Sequence, residues 1–332
     1  MVRFLIFADL HYKKGMYAVR VEDLKKILAR AKENDVDLVL HAGDFCNDYS
    51  GSPELVKAFL NNEYDLPVYG VYGNHELESA NNTMAVVTPL LTNDPNVVRD
   101  AGYYWFDKSG CRFVCLDTNY SYNEAAQLWQ HNATESWGAP QGNLYPDSLG
   151  PEQLRWLESV LTDAAQQGIP CIFVSHAGFC DSWQHSPDSA AVRALIRKAN
   201  AIKAGTVILC INGHYHTNHL LMQENVLYLD VNAAINGAWA PKKEQHYSEA
   251  HTFRLDSYDG EGNYLDTKTV PLSQLWQSSN THYFQEPLSA VVTVGDDGSI
   301  RVTGSKTQWR YDVSPEDHAP GIMPWISDGY YA

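Results

Sequence analysis

The chain has 332 residues, and its 40 acidic against 24 basic side chains give a formal net charge of −16. That length suits one large α/β domain or two small ones, and the acidic balance works against nucleic-acid polymers as partners while leaving a small phosphate ester open, because metal ions in a cleft would dominate the local field. No run of about 18 apolar residues predicts a membrane span and no signal-peptide pattern is visible, so membrane insertion is not expected and the reading is of a cytoplasmic protein.

In chain order, the apolar run 4–7 predicts a buried strand. Leu24, Ile27, Leu28 and Ala31 recur at helical spacing, which predicts a helix over 21–32. A strand at 38–40, a helix over 53–60 with Ser52 as its N-cap, and a strand at 68–71 complete a βαβαβ order, the order that builds parallel-leaning sheets with helices outside. A hairpin is expected from 103–106 and 112–116 across the turn 107–110. The polar, aromatic-rich stretch 118–150 shows no period and reads as a long loop. Helices over 151–167 and 187–199 then alternate with strands at 169–174 and 207–211. Beyond Gly213 only strand-like segments follow, and 290–294 and 299–303 form a hairpin about the turn 295–298. This β-rich third is expected to complete a second sheet. The organisation is one domain over 1–270, with a C-terminal β-hairpin and tail over 271–332 packed on it. Cys111, Cys115, Cys171 and Cys210 lie in apolar runs and read as packed thiols, since no cysteine pair has zinc-knuckle or redox spacing.

Chemistry-bearing residues stand after the predicted strands: Asp9-Leu10-His11, Gly43-Asp44, Gly73-Asn74-His75-Glu76, His176 and Gly213-His214-Tyr215-His216. In open α/β sheets the carboxyl ends of strands form the ligand crevice, so residues distant in sequence can converge there. Two Asp, four His and one amide oxygen make a mixed N/O donor set. Such a set suits Mn(II), Fe, Zn or Co more than Mg or Ca, which prefer oxygen alone. Asp9 and His11 are two apart, so as a continuation of their strand they share a face and can chelate one ion. His214 and His216 repeat that spacing, with Gly213 allowing a tight turn. Asp44 has two carboxylate oxygens with which to bridge two ions.

The order of these motifs, from Asp-x-His to Gly-His-x-His over roughly residues 1–220, resembles that of the calcineurin-like (purple acid phosphatase-like) metallophosphoesterase family. The resemblance implies an α/β fold, a four-layer αββα sandwich of two mixed β-sheets flanked by helices, around two metal ions (Mn, Fe or Zn). It implies that Asp9, His11 and His216 hold one ion, that Asn74, His176 and His214 hold the other, and that Asp44 bridges them. His75 matches a histidine that is not a ligand and assists the leaving group. The implied reaction is phosphoester hydrolysis by a metal-activated hydroxide on a small phosphoester substrate.

The chain departs from the phosphoprotein phosphatases of that family. Phe45, Cys46, Asn47 and Asp48 follow Asp44 where an Arg-Gly pair is expected, and Val71 and Tyr72 precede Gly73 where an Arg is expected. Losing that clamp for a dianionic monoester shifts the expectation toward phosphodiesters. A phosphomonoesterase acting on a small metabolite and a non-catalytic metal-containing binding module on the same fold stay open beside it. Tyr120, Tyr215 and Trp239 are the candidate substrate contacts, because Tyr and Trp stack on bases and sugars.

Overall fold

Two mixed six-stranded sheets form the frame, and the side-chain alternation of their strands decides which residues meet between them. The structure is a computed structural model that describes residues 1–12, 19–47, 51–77, 83–97, 102–124, 126–131, 147–180, 186–216, 219–239, 252–258, 264–271, 281–283, 286–305 and 329–331. Of these, 77, 219, 236–239, 252–258, 264–271, 281–283 and 329–331 are described by backbone alone.

The first sheet runs, edge to edge, Gly329–Tyr331, Ile300–Gly304, Ala290–Val294, Val2–Phe7, Leu38–His41 and Val68–Gly70. Its last three strands are parallel, as the βαβαβ order requires, with helices Val21–Glu33 and Pro53–Leu60 as the crossovers. The second sheet runs His219–Gln223, Val226–Asp230, Val207–Asn212, Cys171–Val174, Cys111–Cys115 and Tyr104–Lys108. Helices Gly150–Gln167 and Ser189–Ile202 belong to it.

Alternation along the second sheet divides its residues between two cores. Phe113, Cys115, Ile172, Val174, Leu209, Ile211, Leu227 and Leu229 pack in one cluster with Phe4 and Ile6 of the first sheet. Their neighbours Val114, Phe173, Cys210 and Tyr228 pack instead with Leu157, Leu161, Val192 and Ile196 of the two helices. Phe4 meets Phe113 edge-on at 5.3 Å, which fixes the two sheets face to face. On the other side, Leu24, Ile27 and Leu28 of Val21–Glu33 are buried against the first sheet. The layers are therefore helix, sheet, sheet, helix.

Two expectations change. The hairpin Ala290–Val294/Ile300–Gly304 joins the first sheet, antiparallel to Val2–Phe7, rather than completing a second one. Register between strands some 290 residues apart is set by long-range pairing and leaves no local trace. Within 118–150 the strands Tyr120–Asn123 and Leu128–His131 form a hairpin, each too short to show a period. Ser52 is the N-cap residue of its helix, its carbonyl accepting from the Leu55 and Val56 amides at 3.2 Å each, but its hydroxyl makes no capping bond and is buried without a partner among the described residues. All six cysteines are buried free thiols. Among the described residues no helix is long and apolar enough to cross a membrane.

Candidate metal centre

The first, second and third strands of the chain and the strands Cys171–Val174 and Val207–Asn212 all release their loops at one edge of the sandwich. Loop-to-loop hydrogen bonds lock them there. The Asp9 amide donates to Gly43 O at 3.0 Å, the His11 amide to Asp44 O at 2.8 Å, and the Gly213 amide to His176 O at 3.2 Å. The His214 amide reaches both oxygens of Asp9, at 3.1 and 2.9 Å.

The chelating pairs do not continue their strands. Asp9 and His11 have φ of 51° and 50°, Asp44 has 50°, and His214 and His216 have 72° and 52°. Left-handed backbone is uncommon for residues with side chains and costs of order 1–3 kcal/mol each when not otherwise compensated. Its concentration in five of the seven expected ligands marks a site where geometry is held against local preference. Alternation on a strand face is thus not what brings Asp9 beside His11. Gly213 opens a tight turn, the Tyr215 amide donating to its carbonyl at 2.9 Å, and it also serves close approach: a Cβ there would sit 2.5 Å from Asp9 Oδ2 and 2.8 Å from Ala8 Cβ.

The side chains converge in three overlapping groups: Asp9, His11 and His216 in the first, Asp44, His176 and His214 in the second, and His11, Asp44 and His75 in a third that joins them. In the first, His11 Nε2 lies 3.1 Å from His216 Nε2, and His216 Nε2 lies 3.3 Å from Asp9 Oδ1. In the second, His176 Nε2 lies 3.2 Å from Asp44 Oδ2, 3.2 Å from Asn74 Oδ1 and 3.0 Å from His214 Nδ1. Asp44 Oδ2 is also 3.5 Å from His11 Nε2, between the groups.

The donor chemistry fits metal ions. His176 Nδ1 is 2.8 Å from the Ala42 carbonyl, which accepts its proton, so in the neutral ring Nε2 turns a lone pair toward three further acceptors. His11 Nδ1 likewise donates to Asn47 Oδ1 at 3.3 Å and leaves Nε2 facing Asp9 and Asp44. Lone pairs gathered around one point are reconciled by a cation. Burial, with His75 adding to it, holds the His11 pKa well below the usual range, and burial with His176 takes His214 to about 3, so both rings are free of competing protons. Burial opposes charge on His176 too, but Asp44 outweighs it and raises the pKa to about 10.

His75 stands at the edge of this cluster, its Nε2 3.9 Å from Asp44 Oδ2 and its ring edge-on to His11 at 4.6 Å. The Asn47 amide donates to His75 Nδ1 at 2.8 Å, which places the ring's proton on Nε2, toward the cluster. Asn47 therefore links an expected metal ligand to the expected acid through one rigid amide.

A family model for calcineurin-like phosphoesterases matches residues 2–218, and that stretch contains every one of these residues. The chain belongs to the calcineurin-like phosphoesterase family. Acid sphingomyelinase-like phosphodiesterase 3b of Homo sapiens is 28% identical over 196 residues, covering 52% of this chain and 38% of that protein, so the match spans about two fifths of the human relative. A manganese-dependent ADP-ribose/CDP-alcohol diphosphatase of Oryza sativa subsp. japonica is 25% identical over 244 residues, covering 61% of this chain and 70% of that one. A solved dimetal phosphatase from Danio rerio aligns over 93% of this chain and 98% of its own with a TM-score of 0.56 at 13% identity, a likeness of fold.

In this calcineurin-like phosphoesterase, Glu76 closes the Gly-Asn-His-Glu motif, and spacing alone assigned it no role. Its buried carboxylate accepts from the amides of Asp44 at 2.9 Å, Cys46 at 3.1 Å and Gly73, and so fastens the second motif loop to the third. Glu76→Ala is expected to strand these donors and cost about 3 kcal/mol or more. Glu76→Gln, which keeps one acceptor oxygen, should recover part of the loss, as urea unfolding would measure.

Of the candidate substrate contacts, Tyr215 is half-buried with its ring 4.9 Å from that of His214. Tyr120 packs edge-on to His131, while Trp239 lies in the strand Asn236–Trp239 with its side chain outside the described residues. Asp117, which ends a strand as the ligands do, accepts from Asn119 and meets His131 Nε2 at 2.8 Å, and so organises its own loop. Phe45 and Tyr72, which stand near the missing arginines, are buried in the core, with the Tyr72 hydroxyl bonded to Thr88. Asp147, which nothing in the sequence singled out, brings a carboxylate 3.6 Å from His214 Nε2.

Proposed function

We propose that the chain is a binuclear metal-dependent phosphodiesterase acting on a small substrate. The observation that carries this reading is the pair of donor groups linked by Asp44, whose Oδ2 lies 3.2 Å from His176 Nε2 and 3.5 Å from His11 Nε2, with the Nε2 of His75 beside them. Asp9, His11 and His216 would hold one ion, Asn74, His176 and His214 the other, and Asp44 would bridge. The N/O donor set suits Mn(II), Fe or Zn. Such ions, when bound, supply a water of lowered pKa and neutralise phosphoryl oxygens.

The residues of the chain supply the rest. Glu76 holds the Asp44 and Gly73 loops at fixed separation. Asn47 keeps the His75 proton on Nε2, where it faces the leaving oxygen of a phosphoester placed over Asp44. A proton passed from that nitrogen, or a hydrogen bond from it, stabilises charge as the ester bond breaks.

Two lines favour a diester. Positions that could carry a clamp for a dianionic monoester are spent on the core at Phe45 and Tyr72 and on the His11–His75 link at Asn47. The human relative is named a phosphodiesterase and the rice relative a diphosphatase of ADP-ribose and CDP-alcohols. In both substrate classes the phosphorus under attack carries two substituents and a single negative charge.

The test is turnover of bis-p-nitrophenyl phosphate against p-nitrophenyl phosphate by protein reconstituted with Mn(II), Fe, Co or Zn. Faster diester cleavage, abolished by a chelator and restored by metal, is the expected result. Faster monoester cleavage would overturn the diester preference. A protein that takes up no metal would overturn the whole reading.

A further inference from the structure

His214 has two ring nitrogens with different surroundings. Nδ1 lies 3.0 Å from His176 Nε2, inside the Asp44, His176 and His214 group. Nε2 points the other way, and Asp147 Oδ2 lies 3.6 Å from it. Both side chains are largely shielded, at 14% and 16% exposure, so this is no surface ion pair screened by water. Asp147 is not itself a member of any of the three clustered ligand groups.

Asp147 is also held rather than merely nearby. Its φ is 40°, a strained value for a residue with a side chain. The next residue, Ser148, bridges to both Asn119 and Tyr120, with the Tyr120 amide donating to Ser148 O at 3.0 Å. The amides of Leu149 and Gly150 then donate to Asp188 Oδ2 at 2.8 and 3.2 Å, where the helix Gly150–Gln167 begins. Three successive residues are thus pinned to the hairpin and to a neighbouring helix start, and the strained residue before them is aimed at a metal-ligand candidate.

We infer that Asp147 is the positioning residue for His214 and, through it, for the second metal site, an inference that rests on the two-metal reading above. A ring that binds a cation through Nδ1 must carry its proton on Nε2, and a carboxylate facing that proton fixes both tautomer and ring plane. It also makes the ring a more basic ligand. At 3.6 Å the contact is longer than a formed hydrogen bond, within reach of a small rotation of either side chain. Asp147 lies three residues before the end of the stretch 118–150, so this contact brings that end of it to the metal centre.

The test is a metal titration against a chromophoric chelator, with Mn(II) or Zn(II) as the probe, on the wild type, Asp147→Ala, Asp147→Asn and His214→Ala. His214→Ala marks which of two binding steps belongs to His214. Asp147→Ala should weaken that step by about 10–100-fold and leave the other within about threefold. Asp147→Asn should lose less, because its amide oxygen still accepts from Nε2–H; it also serves if the alanine variant fails to fold, as circular dichroism would show. Unchanged affinities in both Asp147 variants, or equal weakening of both steps, would overturn the inference. A wild type that binds fewer than two ions would overturn the two-metal reading instead.

Discussion

Asp44→Asn is expected to lower kcat/KM on a phosphodiester by about 10²–10⁴-fold and to leave fewer than two ions per chain. Asp44 Oδ2 lies 3.5 Å from His11 Nε2 and 3.2 Å from His176 Nε2, so one carboxylate serves both donor groups. Burial works against its charge, yet His176 and His75 outweigh burial and hold the carboxyl well below the usual carboxylate range. Asparagine keeps the shape and one oxygen but removes the charge that both sites share. Charge stabilisation by a bound metal is worth several kcal/mol, and each 1.36 kcal/mol is tenfold in rate. The fold should survive, because the His75 amide that donates to Asp44 Oδ1 at 2.9 Å can still find an oxygen there. The readouts are metal content by elemental analysis, kcat/KM, and the melting temperature with chelator and with metal. Wild type should melt higher with metal than with chelator, since a ligand at about 100 times its Kd adds about 2.7 kcal/mol to the native state. Asp44→Asn should lose most of that difference. A variant that retains two ions and full activity would remove Asp44 from the bridging position.

His75→Ala should behave differently. It is expected to keep two ions, because His75 clusters only with His11 and Asp44, each of which also belongs to another donor group, and its Nε2 stands 3.9 Å from Asp44 Oδ2. It should lose about 10²–10⁴-fold in kcat on a diester whose leaving group is an alkoxide, the range of general acid catalysis. On a p-nitrophenyl ester, whose leaving group needs no proton, the loss should be much smaller, and that contrast is the diagnostic. It follows from the geometry: Asn47 occupies His75 Nδ1 at 2.8 Å, so the only proton the neutral ring can offer is on Nε2. Equal losses on both esters would mean that His75 stabilises charge without transferring a proton. Loss of an ion would mean that it acts as a ligand.

The core and the site were unequally legible before folding. Periodicity over 21–32 and the apolar runs at 4–7, 38–40 and 207–211 predicted elements that the structure contains, because a strand or helix buried on a known face writes its period into neighbouring residues. The types of the candidate donor residues were equally local. Asp9, His11, Asp44, Asn74, His75, His176, His214 and His216 each follow an apolar run, and their types alone argue for an N/O metal set.

What the sequence by itself determined, then, was an inventory: two sheets' worth of strands, their flanking helices, and the chemistry that hangs from the strand ends. Only the tertiary structure decided how that inventory is joined. It placed Ala290–Val294 beside Val2–Phe7, turned five donors into left-handed backbone, gave Glu76 three amides to hold, set Asn47 between His11 and His75, and delivered Asp147 to His214. Each of these pairs residues across a loop, a sheet or a large separation in sequence. A hydrophobic period is enforced by burial residue by residue, whereas a contact between one carboxylate and one imidazole 67 positions away exists only once both their scaffolds have packed.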